Sequence, residues 1–192
     1  VPWNEPGIIM RMLDLGVMGV IAPMINSKED CEKFVSYCYY PKIGQRSFGP
    51  MRAQLIHGQD YYNQANKNIL SFAMIETKEA VENLDKILSV PNLTGIYIGP
   101  ADMSSSYGLP PKFDVREDPV FSNIKLIVKK AKEHNKIAGI HNGSTEYAKE
   151  MIDIGYKLVT ILSDFRVMSL NAQKIVDEMK DNSSIKGSAS TY

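Results

Sequence analysis

Apolar and polar positions along this chain follow two alternating periods. Five short stretches are almost wholly apolar: residues 19–24, 69–75, 93–98, 137–140 and 158–162. Runs of that length without a polar face are the pattern of strands buried on both sides of a parallel sheet. Between them the period lengthens to that of a helix. Val120, Ile124, Ile127 and Ala131 mark one face of a helix expected over residues 119–135.

Further helices are expected from Pro6 to a stop at Gly16, and over residues 27–39 with Ser27 as cap and Pro41 as terminator. Others are expected over 60–68, 78–88 and 145–154, the last ended by Gly155. A final helix starts at Ser163 or Asp164. Residues 44–50 and 105–118 read as loops, and His57 falls in another. The small polar residues of 181–192 read as a disordered tail behind a single domain, 1–180.

Strand and helix in alternation favour a parallel sheet with right-handed crossovers. Five strands are compatible with an open doubly wound sheet, but no glycine-rich phosphate loop follows the first of them. A barrel carrying its chemistry at the carboxyl ends of the strands is the other solution.

Composition narrows the partners. The 192 residues carry 22 basic and 22 acidic side chains, which leaves no electrostatic footprint for nucleic acid or an anionic membrane. No apolar run has the length of a membrane span, and the cytosol is the expected compartment. Cys31 and Cys38, on one helix, lie about 10 Å apart along its axis, too far for a disulfide, so reduced and partly buried thiols are expected. The chain begins Val1-Pro2-Trp3-Asn4 without a Met and reads as if it opens at the end of a strand.

The candidate chemistry lies where apolar strands end. Glu76 closes residues 69–75, and Asp102 follows Gly99 and Pro100 after the third strand. A carboxylate at the end of a buried strand is costly unless paired, solvated or metal-bound. Either acid alone also reads as a helix N-terminal charge. Two hard oxygen donors at neighbouring strand ends together favour a divalent cation, with the amides of Ala101 and Asp102 free to hold a carboxylate.

His141, after the fourth strand, is a candidate for substrate contact or proton transfer, or a loop histidine bonded to nearby backbone. Arg46 and Arg52 read equally as anion receptors or as ligands of loop carbonyls. His57 and His134 read as solvated, Trp3 as packing, and the ten methionines as core filler. Lys78 reads as a surface helix residue. No apolar strand carries a lysine suited to Schiff-base chemistry.

Several short words, in order, carry a resemblance over nearly the whole chain. They are Val1-Pro2-Trp3-Asn4, Leu13-Asp14-Leu15-Gly16, Pro23-Met24, Tyr40-Pro41, Ile75-Glu76-Thr77, Val81-Glu82-Asn83 and Gly99-Pro100-Ala101-Asp102. Together they resemble the HpcH/HpaI family of metal-dependent pyruvate aldolases. The resemblance implies a (β/α)8 TIM barrel, here without its N-terminal strands, in a homo-oligomer that is a hexamer or trimer of dimers with exchanged last helices.

It implies Mg2+, Mn2+ or Co2+ held by Glu76 and Asp102. Pyruvate would be chelated to the metal through its keto and carboxylate oxygens, with loop amides near Gly99, Ala101 and Asp102 on the carboxylate. Asp14 is similar to an acid that, in the family, supports the catalytic histidine across a subunit interface. The implied reaction cleaves a 4-hydroxy-2-oxo acid to pyruvate and an aldehyde through a metal-stabilised enolate.

Three departures stand out. The family's catalytic histidine belongs to a strand absent from this sequence, and its arginine precedes the V-P-W word. Met74 stands where members commonly carry Gln, and His141 is a candidate to compensate or to shift specificity. Five strands against eight suggest that these 192 residues alone are aggregation-prone or inactive. A citrate-lyase β-like acyl-CoA lyase and a non-catalytic structural or regulatory relative are the rival readings.

Overall fold

A computed structural model describes residues 1–182. Its sheet has five parallel strands in sequential order: β1 (Gly19–Ala22), β2 (Leu70–Ile75), β3 (Gly95–Ile98), β4 (Ile137–Asn142) and β5 (Leu158–Ile161). Ten helices accompany them among the described residues. These are α1 (Pro6–Asp14), α2 (Lys28–Cys38), α3 (Met51–His57), α4 (Tyr61–Asn68), α5 (Lys78–Glu82), α6 (Leu84–Leu88), α7 (Pro100–Ser106), α8 (Val120–Glu133), α9 (Thr145–Ile154) and α10 (Asp164–Asn182).

Every apolar run became a strand. β3, at the centre, is buried at all four positions, whereas the edge strands β1 and β5 are only partly covered. Parallel pairing needs both faces covered, and α2, α8 and α9, packed against β2, β4 and β5, supply part of that cover. Ile124, Ile127 and Ala131 of α8 are fully buried, as their spacing requires. Among the described residues β1 and β5 do not pair, so the sheet is open rather than a closed barrel.

Local chemistry sets the helix ends. Ser27 and Asp30 form a reciprocal capping box at the start of α2. Gly16, just after α1, takes φ +101°, a left-handed backbone that a side chain would strain.

Four expectations need correction. The helix expected over 78–88 is two helices that meet at Asn83, whose backbone (φ −95°, ψ 8°) departs from helical geometry and whose side-chain amide donates to the Asn26 carbonyl at 3.0 Å. α3 lies where a loop was expected. Met51, Leu55 and Ile56 are exposed and only Ala53 is buried, so no apolar stripe announced it. His57 therefore sits in a helix, with Nε2 2.8 Å from the Gly16 carbonyl oxygen. Finally, α10 runs to Asn182, two residues into the expected tail; the rest of that tail lies outside the described residues.

Packing differs at some positions as well. Trp3, expected in packing, is 58% exposed. Met103 and Met151 are core residues, but Met18, Met24, Met51, Met168 and Met179 are exposed. Cys31 and Cys38 are free thiols, and both are fully rather than partly buried.

Candidate active site

A strand places alternate side chains on one face. Met74 and Glu76 from β2 and its end, Tyr97 and Gly99 from β3 and its end, and His141 from β4 consequently line one cavity of about 330 Å³ with Ala101, Asp102 and Phe113. It opens at the carboxyl ends of the strands, where parallel α/β sheets bind ligands. A larger cleft of about 550 Å³ lies where β4 and β5 begin and is lined by Lys125, Lys129, Lys132, Lys136 and Lys157. No carboxylate, histidine or thiol lines that cleft, so the smaller cavity holds the candidate chemistry.

Glu76 is 3% exposed. It does not cap the following helix, because Thr77 takes that position and accepts from the Ala80 amide. One Glu76 oxygen, Oε1, instead accepts the Met24 N–H at 2.8 Å. Met24 presents that N–H from a left-handed backbone at φ 56°, uncommon for a residue with a side chain. Burial, and secondarily the negative charge of Asp102, push the Glu76 pKa up. The two acids thus feel each other across the cavity.

Asp102 is exposed, in the first turn of α7. Pro100 is the first residue of that helix, and the amides of Ala101 and Asp102 have no carbonyl one turn earlier within it. Gly99 is required by the space available: a Cβ there would stand 2.6 Å from Glu76 Oε2 and 3.3 Å from Met74 Sδ.

His141 is half-buried on β4, not in a loop, and its bonds go to side chains rather than backbone. Nδ1 lies 3.0 Å from Thr160 Oγ1 and 3.4 Å from the Tyr97 hydroxyl, which also bonds Thr160. The Phe113 ring meets the imidazole edge-on at 4.9 Å. Burial lowers the His141 pKa against an opposing pull from Asp114. Tyr97 and Thr160 were missed from sequence because both sit in apolar strands and read as core; a hydroxyl at the cavity-facing register of each was the available signal.

Asp14 is not brought to this cavity. It accepts from Arg46 Nη2 at 2.7 Å and lines a separate cavity of about 440 Å³ with Arg11, Gly49 and Arg52. Arg46 matches neither of its expected roles. Its side chain is fully buried, lies 4.5 Å over the Tyr40 ring and donates to the Tyr61 hydroxyl at 3.1 Å. Lys78 is exposed on its helix, as expected. His134 caps α8 and bonds Asp85 at 3.0 Å instead of being freely solvated.

No group of three His, Cys, Asp or Glu side chains able to hold a metal gathers among the described residues. Two carboxylates remain. Among the described residues Glu76 Oε2 has no hydrogen-bond donor and lies beside the cleared space at Gly99, and such a pair fits a hard divalent cation that retains water.

The sequence profile of the HpcH/HpaI aldolase/citrate lyase family matches residues 1–166. The chain belongs to the HpcH/HpaI aldolase/citrate lyase family. It is 37% identical over 177 residues to a hydroxypyruvate/pyruvate aldolase of Rhizorhabdus wittichii, covering 92% of this chain and 70% of that protein. It is 32% identical over 182 residues to a 5-keto-4-deoxy-D-glucarate aldolase of Escherichia coli O157:H7, covering 94% and 70%.

A crystal structure of an HpcH/HpaI family protein from Burkholderia cenocepacia J2315 superimposes with a TM-score of 0.82 at 25% identity, over 94% of this chain and 72% of the other. The five strands correspond to a curled half-barrel of the HpcH/HpaI fold. Family membership and these relatives make the chain a lyase of the aldolase type. No helix among the described residues is long and apolar enough to cross a membrane.

Proposed function

We propose that this protein is a divalent-metal-dependent pyruvate aldolase that cleaves a 4-hydroxy-2-oxo acid to pyruvate and an aldehyde, and joins them in reverse. One observation carries the reading. A buried carboxylate, Glu76, faces a second acid across a cavity at the strand ends, with space kept clear beside its uncommitted oxygen by Gly99. Glu76 and Asp102 hold Mg2+, Mn2+ or Co2+. When bound, the cation supplies Lewis-acid stabilisation for negative charge developing on the 2-oxo oxygen.

The chain's own groups do the rest. The Met24 N–H fixes the Glu76 carboxylate. The amides of Ala101 and Asp102, at the start of α7 after Gly99, receive the substrate carboxylate. Met74, Tyr97 and Phe113 form apolar walls that limit water around the reacting carbons. His141, on the same cavity wall, contacts the substrate. Asp14, held by Arg46, serves a second face of the protein and acts on catalysis across a subunit interface.

We further propose a homo-oligomer in which β1 and β5 belong to an eight-stranded barrel. The longer relatives, of which this chain spans 70%, support the barrel. The exposed Phe165, Met168, Leu170, Ile175 and Met179 of α10 support the oligomer.

The test is exchange of the pyruvate methyl protons in heavy water, read by proton NMR on the complete reading frame with Mg2+ or Mn2+ and again with chelator. Metal-dependent exchange is expected and needs no knowledge of the aldehyde. Folded, metal-loaded protein that leaves the methyl group unexchanged would sink the proposal.

A further inference from the structure

Charge is balanced over the chain but not over its surface. The cleft of about 550 Å³ where β4 and β5 begin is lined by five lysines. Lys125, Lys129 and Lys132 come from α8, Lys136 from the turn into β4, and Lys157 from the turn into β5. Spacings of four and three residues put the first three on one face of α8, where like charges repel each other.

Neighbouring acids do not relieve that repulsion. None of the five lysines forms an ion pair with a carboxylate among the described residues. Asp85 and Glu133 are both taken by Lys130, at 3.1 and 3.4 Å, and Lys130 does not line the cleft. Asp118, which feels the charge of Lys125, accepts from the amide and the hydroxyl of Ser122. The helix dipole explains Lys132, in the last turn of α8. It explains neither Lys125, in the first half of that helix, nor Lys157, which belongs to another segment.

The cleft is also shaped for a ligand of a particular kind. Lys136 is fixed in place, its ammonium 2.6 Å from the Leu93 carbonyl oxygen and 3.4 Å from that of Val90. The other four lysines are exposed around an apolar floor of Val128, Ala138 and Ile154. Ammonium groups bind phosphate as point charges, whereas planar recognition of carboxylates favours arginine, and no arginine lines this cleft. No aromatic ring lines it either, so it lacks the stacking platform of a single-stranded nucleic-acid site. Its volume lies within the range of small-molecule sites.

We propose that this cleft binds a small organic polyphosphate, with the phosphates on Lys125, Lys129, Lys132 and Lys157 and the uncharged body on Val128, Ala138 and Ile154. The site adjoins the amino ends of β4 and β5, whereas His141 stands towards the carboxyl end of β4. It is therefore separate from the candidate active site and stands whether or not the aldolase reading does.

The experiment titrates the full-length protein calorimetrically with ATP and with inorganic triphosphate at low ionic strength. Both should bind, ATP more tightly because its body covers the floor, and added salt should weaken both. The triple variant Lys129→Gln, Lys132→Gln, Lys157→Gln removes exposed side chains and should weaken ATP binding about tenfold, as three solvent-exposed charge contacts imply. A control of equal charge change, Lys33→Gln, Lys86→Gln, Lys149→Gln, should leave binding unchanged.

Protection of Lys129, Lys132 and Lys157 from acetylation by bound ATP, read by mass spectrometry, locates the ligand without any substitution. Failure of ATP to bind, or equal weakening by both triple variants, overturns the proposal. So does unaltered affinity in the cleft variant, which would put the anion elsewhere on the protein. Equal affinity for ATP and triphosphate would remove the role given to the apolar floor and overturn an organic ligand. An oligouridylate that binds more tightly than ATP and is lost in the cleft variant would overturn the small ligand in favour of nucleic acid.

Discussion

Gly99 lies so close to Glu76 that a Cβ built on it would stand 2.6 Å from Oε2, the carboxylate oxygen not engaged by the Met24 amide. The space beside that oxygen is therefore a property of two residues just past the ends of neighbouring strands. Gly99→Ala should displace a carboxylate whose other oxygen is pinned. The expected result is at least about tenfold weaker Mn2+ binding, of the order seen when ligand surroundings are disturbed, with the fold intact. Calorimetric titration beside a thermal melt separates the two effects; unchanged affinity would show that Oε2 is not a ligand.

Glu76 also sets a pH dependence whose sign is definite. Burial raises its pKa in the folded state above the ordinary 4.5. Its contribution to stability is fully present below the unfolded value and is lost as pH rises through the folded one, because the folded protein binds the extra proton. At neutral pH the ionised carboxylate is thus a cost in metal-free protein. Glu76→Gln should relieve that cost and raise the metal-free Tm. The same substitution should abolish the rise in Tm caused by Mg2+ or Mn2+ in the unaltered protein. A lower metal-free Tm would contradict this account.

The Asp14–Arg46 pair is unequally exposed, with side chains 27% and 0% accessible. Removing the acid strands a buried guanidinium, whereas removing the guanidinium leaves an acid that water can reach. Asp14→Asn should therefore cost about 3–5 kcal/mol and Arg46→Met only about 1–3 kcal/mol, read from urea unfolding. Equal costs, or the reverse order, would argue against burial as the cause.

Both thiols should be inert in the native protein. Burial pushes Cys31 and Cys38 up to about 12. At pH 8 almost no thiolate is present, and neither sulfur meets solvent. Reaction with a disulfide reagent should be at least about a hundredfold slower than in denaturant, where both titrate normally. Fast labelling of folded protein would place one thiol at the surface.

Much of the frame was legible in one dimension. The five apolar runs became the five strands because a parallel strand is buried on both faces and tolerates little polarity. Ser27, Gly16 and Gly155 marked helix ends by local backbone chemistry, which needs no tertiary contact to be read. α3 escaped because its apolar residues point outwards, and the break at Asn83 escaped because the partner of its side chain, the Asn26 carbonyl, is 57 residues away.

The same division runs through the site. Residue type and position at strand ends determined that Glu76, Asp102 and His141 were candidates, since a charge at the end of an apolar run needs a reason. Only the tertiary structure decided that these three share a cavity and that Asp14 belongs to another one with Arg46. It alone brought Tyr97 and Thr160 to His141. Strand register sets which side chains from distant segments meet, and register is a property of the paired sheet rather than of any segment within it.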